Sequence, residues 1–268
     1  MIHEDNIREI IAIGDVHGKD LWKQVVERHK DAHIVFMGDY CDPYKGFAHI
    51  TLLNNLKEII ALKRSDPGRI TLLLGNHDLH YFNSIIPRGS RFDKGIADEL
   101  RNLFNREISL FCNAWQYRNI LFTHAGVSQY WIDSGLCHNI MPDAARCLNN
   151  PELLGEHPNS IYDCGYYRGG NSHFGGIFWA DIEELNKLPK GLIQVAGHNR
   201  VGEIKHIRSC NAKEGEIADL YACDCLYNNI YLRITIDDSG INFYQKTLDD
   251  ENVNLKVIEK NRHEPRWL

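Results

Sequence analysis

The sequence predicts a layered α/β fold, and three observations carry that expectation. Five short apolar runs rich in β-branched residues recur along the chain, each closing in a polar or glycine turn. Amphipathic helical patterns lie between the first three runs. Near its end the chain changes to two strand-like runs around a turn, the mark of a hairpin.

The first run, IIAIGD, ends at Asp15 and leads into a helical pattern over 20–30 (DLWKQVVERHK). The second, HIVFMGD, ends at Asp39 and precedes a helical pattern over 49–63 (HITLLNNLKEIIALK). The third, RITLLLGNHD, ends at Asp78. A helix is expected after it over 94–113, where Ile96, Leu100, Leu103, Phe104, Ile108 and Phe111 keep helical spacing. The fourth run, NILFTHAG, ends at Gly126, and the fifth, LIQVAGH, at His198. Unbroken apolar runs of this length read as strands buried on both faces. NIYLRITIDDSGINFYQKTL reads as a hairpin turning at Asp237-Asp238-Ser239-Gly240. Residues 127–190 are irregular and rich in Gly, Asn, Pro and aromatics, and read as a lid or insertion over a site within a single domain spanning 1–268.

Composition narrows the function classes. With 43% apolar and 25% charged residues among 268, the chain is of ordinary soluble globular type. No apolar stretch approaches the roughly 18–20 residues of a membrane helix, and MIHEDNIREI is too charged for a secretory signal. A cytoplasmic protein with no membrane partner is expected. The net charge is -6 and the basic residues are scattered, which argues against nucleic acid as a partner. Eight cysteines at irregular spacing (Cys41, Cys112, Cys137, Cys147, Cys164, Cys210, Cys223, Cys225) do not suggest a disulfide framework. Cys223 and Cys225 lack the second close pair that a structural zinc would need.

Each of the five runs ends in groups able to bind a metal, and in open α/β sheets ligands bind beyond the carboxyl ends of the strands. GDVHG (14–18) offers Asp15 and His17, two apart in a tight turn, so both can point at one ion. GDYCD (38–42) offers Asp39 and Asp42, and GNHD (75–78) offers Asn76, His77 and Asp78. THAG (123–126) offers His124, and AGH (196–198) offers His198. Taken singly, a Gly-Asp after a strand is usually only a turn signal. Five such ends in this order are hard to explain as turns. Imidazole, carboxylate and amide ligands without thiolate suit Mn, Fe, Zn, Co or Ni rather than an iron–sulfur centre.

The ordered series GDVHG, GDYCD, GNHD, THAG and AGH resembles the calcineurin-like metallophosphoesterase superfamily, and within it the bacterial-type branch of the phosphoprotein phosphatases. The resemblance covers roughly residues 8–200. It implies a two-sheet β-sandwich flanked by helices in four layers, with the C-terminal hairpin in the second sheet. It also implies two divalent ions, Mn being favoured. One would be held by Asp15, His17 and Asp39, and the other by Asp39, Asn76, His124 and His198, with Asp39 bridging. In two-metal sites the ions lie roughly 3.5–4 Å apart and clamp an in-line displacement. A water between them, made nucleophilic by the metals, would attack phosphorus without a covalent enzyme intermediate. His77 adjoins Asn76, and adjacent residues diverge, so His77 is not expected to be a ligand. The family gives it the role of general acid. Asp42 would orient that ring and favour its protonated form.

Departures from the family pattern bear on substrate. Eukaryotic-type members have Asp-Arg-Gly where this chain has Asp42-Pro43-Tyr44, so a phosphate-binding arginine is missing there. They have Glu in place of Asp78, and Gly-Gly in place of Ala125-Gly126. The other large branch ends in Gly-His-x-His, where Arg200 replaces the second histidine. Arg168, in YRGG, and Arg200 are the candidate substrate-binding cations, Arg168 being preferred. The expected activity is hydrolysis of a phosphate monoester on a phosphorylated small molecule, nucleotide or phosphoprotein. Hydrolysis of dinucleoside polyphosphates is the alternative, since aromatics of 127–190 such as Tyr130, Trp131, Tyr162 and Trp179 could stack on a base or form the lid's own core. An inactive phosphate-recognising protein is a remote third.

Overall fold

The computed structural model describes residues 7–44, 46–136, 140, 142–155, 157–249 and 252–254. Every one of the five apolar runs contains a strand. They are β1 (Glu9–Ile13), β2 (His33–Phe36), β3 (Ile70–Leu73), β6 (Ile120–Thr123) and β7 (Ile193–Arg200). The other strands are β4 (Phe111–Cys112), β5 (Ala114–Tyr117), β8 (Lys205–Arg208), β9 (Asp219–Asp224), β10 (Ile230–Asp237), β11 (Gly240–Thr247) and β12 (Asn252–Asn254). They form two sheets, ordered β12-β11-β10-β1-β2-β3-β4 and β5-β6-β7-β9-β8.

The sheets stack face to face, as the side-chain alternation of each strand requires. Ile10 and Ala12 of β1 face the second sheet with Val35, Phe122 and Val195. Ile11 and Ile13 face outward with Ile34 and Phe36. On that side they meet Val25 of α1 (Trp22–Arg28), Leu56 and Ile59 of α2 (His49–Ser65), and Leu100 and Phe104 of α4 (Ala97–Glu107). Between the last two lies α3 (Asn76–Phe82). The outer face of the second sheet is covered by Leu185 and Leu188, which pack on Ala196, Leu220 and Ala222. The architecture is a mixed α/β sandwich of two sheets flanked by helices.

Two expectations need correction. The helix read over 94–113 stops at Glu107, and Phe111–Cys112 become β4 beside β3. Phe111 there packs its ring on Tyr40 and Phe104, burial that a continued helix would not give it. The C-terminal hairpin lies in the first sheet, not the second. β10 pairs antiparallel with β1 and sets Ile234 opposite Ile10 and Leu232 opposite Ala12, so four apolar side chains share the inter-sheet face. The open edge of β1 is thereby paired, which removes a row of unsatisfied backbone groups. The place in the second sheet is filled instead by β9, read as no element in the sequence.

The hairpin turns at Asp238-Ser239, with Asp237 opposite Gly240. The seven described cysteines are all free; Cys137 lies outside the described residues, as do residues 1–6. Among the described residues no helix is long and apolar enough to cross a membrane. Among the described residues of 127–190 there are short helical turns, a six-residue helix (Ala144–Asn149) and one isolated bridge between Gly165 and Ser172.

Candidate metal centre

The strands bearing the five motifs run parallel within each sheet, so their carboxyl ends open toward one place. The backbone there is bent hard. His17, Asp39, Asp42 and His198 have φ of 44, 52, 55 and 58°, the left-handed region that side chains other than glycine rarely adopt. Such strain persists where surrounding structure over-determines it, and it clusters at functional sites. In β7 the pairing register with β9 slips between Ala196 and Arg200, a bulge that re-aims His198.

Two groups of donors result, with Asp39 between them. On one side, His17 Nε2 lies 3.7 Å from Asp39 Oδ2 and 4.0 Å from Asp15 Oδ2. On the other, His124 Nε2 lies 3.6 Å from Asp39 Oδ1. His124 Nε2 and His198 Nδ1 each approach Asn76 Oδ1 to 2.9 Å. Metal–ligand bonds of about 2.0–2.2 Å set ligand atoms roughly 3 Å apart, so this spacing suits a shared ion. Ligand atoms of Asp15, Asp39 and His124 fall within 4.8 Å of one another.

Hydrogen bonds behind the donors fix which atoms face inward. His17 Nδ1 donates to the Cys41 carbonyl at 2.7 Å, and His124 Nδ1 to the Met37 carbonyl at 2.8 Å. Each ring is left with Nε2 free as a lone-pair donor, the arrangement usual in metal-binding histidines. His198 Nε2 is buried without a partner among the described residues. The His198 amide donates to both Asp15 carboxylate oxygens, at 3.0 and 3.2 Å. Gly75 is obligatory for space: a Cβ there would lie 2.1 Å from Asp39 Oδ1.

The electrostatics ask for a cation. Burial raises the pKa of Asp15 well above the usual range, and the Asp224 and Asp39 carboxylates add to it. Asp39 is raised likewise by burial and by Asp78. Burial holds His17 and His124 down to about 3 and His198 well below its ordinary value, so the rings are neutral. Packed carboxylates that repel one another beside neutral imidazoles fit a divalent ion, which would reverse the cost of keeping those acids ionised.

Beside this centre stands a second polar group. His77 Nδ1 donates to Asp42 Oδ2 at 2.8 Å, His80 Nε2 lies 2.7 Å from the same oxygen, and the Tyr81 hydroxyl donates to Asp42 Oδ1. His80 Nδ1 accepts from the Gly89 amide at 3.2 Å, so its proton sits on Nε2. Asp42, His77 and His80 also form a group of potential metal ligands, but His77 and Tyr81 already hydrogen-bond the carboxylate and His80 Nε2 lies against it at ion-pair distance. Burial pushes the Asp42 carboxyl up, yet the His77, His80 and Tyr81 donors leave it below its ordinary pKa. Burial depresses His77, and the Asp42 carboxylate only partly offsets this. Asp42 thus raises the pKa of the ring while burial lowers it, and burial sets the net direction.

Asp78 turns away from the donors. It accepts backbone hydrogen bonds from Gly75, Asp39 and Tyr40, tying the GDYCD and GNHD loops together. Arg168 pairs with Asp181 at 2.7 Å and donates to Asn199, the neighbour of His198. Arg200 is exposed, its guanidinium 3.8 Å from the Tyr227 ring and 4.9 Å from that of Tyr44. Most aromatics of 127–190 pack internally: Trp131 is buried, Tyr130 stacks on Phe174 and Tyr162 on Phe178. Trp179 sets its ring edge-on to His198.

Sequence reading missed three residues. Asp224, at the end of β9, is buried, and burial raises its pKa to about 6 against the pull of Lys19 and Arg200. DLYACD carries the same signal as the five motifs, an apolar strand closing in Asp. His80 and Arg91 carried no signal; only tertiary placement brings them to Asp42 and His77.

Residues 8–210 match the model of the calcineurin-like phosphoesterase family. Among solved structures, the chain is similar to a point variant of a cold-active protein tyrosine phosphatase, with 16% identity and a TM-score of 0.59 over 94% of this chain and 81% of that one. Another structure of a cold-active protein tyrosine phosphatase gives 18% identity and a TM-score of 0.57 over 94% and 79%.

Proposed function

The chain belongs to the calcineurin-like phosphoesterase family and is a metal-dependent phosphoesterase, and we propose that it hydrolyses phosphate monoesters, phosphoproteins among them. The observation that carries this reading is the position of His77 beside the donor groups, braced by Asp42 at 2.8 Å. A phosphoryl group held by the donors would put its leaving oxygen next to that ring. When bound, the ions, Mn favoured, would supply Lewis acidity and an activated water. Asp15, His17 and Asp39 would hold one ion, and Asp39, Asn76, His124 and His198 the other. His77 would hand a proton to the leaving alcohol, and Asp42 would keep its ring in place.

Direct attack by water, with no covalent intermediate, fits the local chemistry. Cys41 is the cysteine nearest the donors in sequence, and it is buried, with burial and the Asp78 carboxylate holding its pKa well above the thiol's usual value. It cannot serve as a thiolate nucleophile. The internal packing of most aromatics in 127–190 supports a lid with its own small core over a base-stacking surface. This favours monoesters over dinucleoside polyphosphates. Arg168, anchored next to His198 through Asn199, would steady the phosphate from the lid side, and exposed Arg200 would meet the rest of the substrate.

The test is release of inorganic phosphate by Mn-loaded protein from an aryl phosphate, phosphopeptides, mononucleotides and dinucleoside polyphosphates. Turnover of the monoesters supports the reading. Turnover of dinucleoside polyphosphates alone would replace it.

A further inference from the structure

We propose that Arg91 is the residue that receives the substrate phosphate on the His77 side of the site, a role for which Pro43 leaves no arginine in the GDYCD loop. This rests on the phosphomonoesterase reading above and assigns that site its anion-binding group.

Arg91 lies in the loop after α3, and the loop is pinned to the machinery it would serve. The Gly89 amide donates to His80 Nδ1 at 3.2 Å, and the Asp93 amide to the Tyr81 hydroxyl at 3.2 Å. His80 and Tyr81 are the two residues that, with His77, hold the Asp42 carboxylate. Arg91 Nη1 itself donates to the Asp42 carbonyl. The Arg91 backbone sits at φ 65°, a left-handed conformation that costs an arginine roughly 1–2 kcal/mol. The loop is thus bent against local preference, and its anchors lead to Asp42.

The side chain points inward. Its guanidinium lies 3.9 Å from the centre of the Tyr44 ring, and that ring meets His17 edge-on at 5.1 Å. Nη2 is 2.7 Å from His77 Nε2. His77 Nδ1 is committed to Asp42, so Nε2 presents a lone pair and the guanidinium donates to it. No described carboxylate comes within ion-pair distance of Arg91, whereas Arg168 is already matched by Asp181. A half-buried guanidinium with ring and backbone contacts but no counter-ion is suited to an anion arriving from outside, and its planar fork matches phosphate oxygens.

Nε2 is also the atom from which a proton must reach the leaving oxygen. In the substrate complex Arg91 donates to the non-bridging phosphate oxygens, which frees Nε2 to face the ester oxygen. The bond from phosphorus to that oxygen breaks as the bond from water forms. Once Arg91 has turned to the phosphate, Nε2 takes up a proton from solvent and passes it to the departing alcohol, the attacking water gives its own proton back to solvent, and the products are alcohol and phosphate.

The probe is inorganic phosphate, titrated by calorimetry into the metal-loaded full chain, with metal content and steady-state kinetics measured beside it. Arg91→Ala should weaken phosphate binding about 10- to 100-fold, as expected for lost charge-assisted hydrogen bonds, raise KM and leave metal content unchanged. Arg91→Lys should recover only part, because an ammonium lacks the fork. Arg91→Gln, which keeps an amide donor for the Asp42 carbonyl, serves if the alanine variant misfolds, and should show the same loss. Phosphate affinity within twofold of wild type in folded variants would overturn the assignment while the wild type's hydrolysis leaves the phosphomonoesterase reading standing. A metal-loaded wild type that neither hydrolyses monoesters nor binds phosphate would remove both.

Discussion

His77 Nδ1 lies 2.8 Å from Asp42 Oδ2, although the two residues are 35 positions apart and follow different strands. The contact exists because β2 and β3 are parallel neighbours whose carboxyl ends turn the same way. It fixes the imidazole with Nε2 outward, the orientation a proton donor to a leaving group needs.

If His77 is that donor, His77→Ala should keep its metals and lose about 10²–10⁴-fold in rate on alkyl phosphates, the usual range for general acid catalysis. An aryl phosphate with a stable leaving anion should suffer far less. Asp42→Asn should reproduce part of the same selective loss, because it frees the ring without removing it. Rates on ester series of graded leaving-group pKa provide the measurement, and equal losses across the series would reduce His77 to a shaping role.

Gly75 gives a test of space rather than chemistry. Its φ of -112° is open to any residue, but a Cβ would lie 2.1 Å from Asp39 Oδ1 and 2.4 Å from the Asp39 amide nitrogen. Gly75→Ala should therefore displace the Asp39 carboxylate, cost about 1–3 kcal/mol in strain and lower metal content. Gly68→Ala, with nothing within 4 Å of the added carbon, should change neither. Elemental analysis and urea unfolding of both variants would check this.

The five strand-end motifs were legible because a strand, its turn and its polar residues are continuous in sequence, and the parallel topology then gathers their ends. Asp224 was missed although DLYACD has the same form, since its strand follows a long polar stretch and no glycine marks its end. Arg91 could not be read at all: its meaning depends on a loop folding back onto His80 and Tyr81. The hairpin itself was legible as two strands, but its sheet was not. Alternating side chains specify a face to bury, not which open edge will accept the strand. Phe111 kept helical spacing with Phe104, yet tertiary packing on Tyr40 outweighed it.

Away from the site, Glu9 links the fold to acid stability. Its carboxylate accepts from His29 at 3.1 Å and from Arg233 at 2.5 Å, and the His29 hydrogen bond, with Arg233, lowers its pKa from 4.5 to about 2. A folded-state pKa below the unfolded one stabilises the fold above the unfolded value, and that contribution fades as pH falls from about 4.5 toward 2. A shift of this size corresponds to about 3 kcal/mol, which partial exposure reduces to roughly 1–2 kcal/mol. Glu9→Gln should be less stable than wild type by that amount at pH 7 and converge with it near pH 2. A gap that stays constant with pH in urea titrations would contradict the linkage.

Asp39 offers Oδ2 toward His17 at 3.7 Å and Oδ1 toward His124 at 3.6 Å, so one carboxylate faces both donor groups. Elemental analysis of purified Asp39→Asn, beside His124→Ala and wild type, tests whether one carboxylate serves two ions. Two ions per chain in the wild type, loss of both with loss of hydrolysis in Asp39→Asn, and chiefly one position emptied in His124→Ala are the predicted results. Two fully occupied metal positions in Asp39→Asn would contradict it.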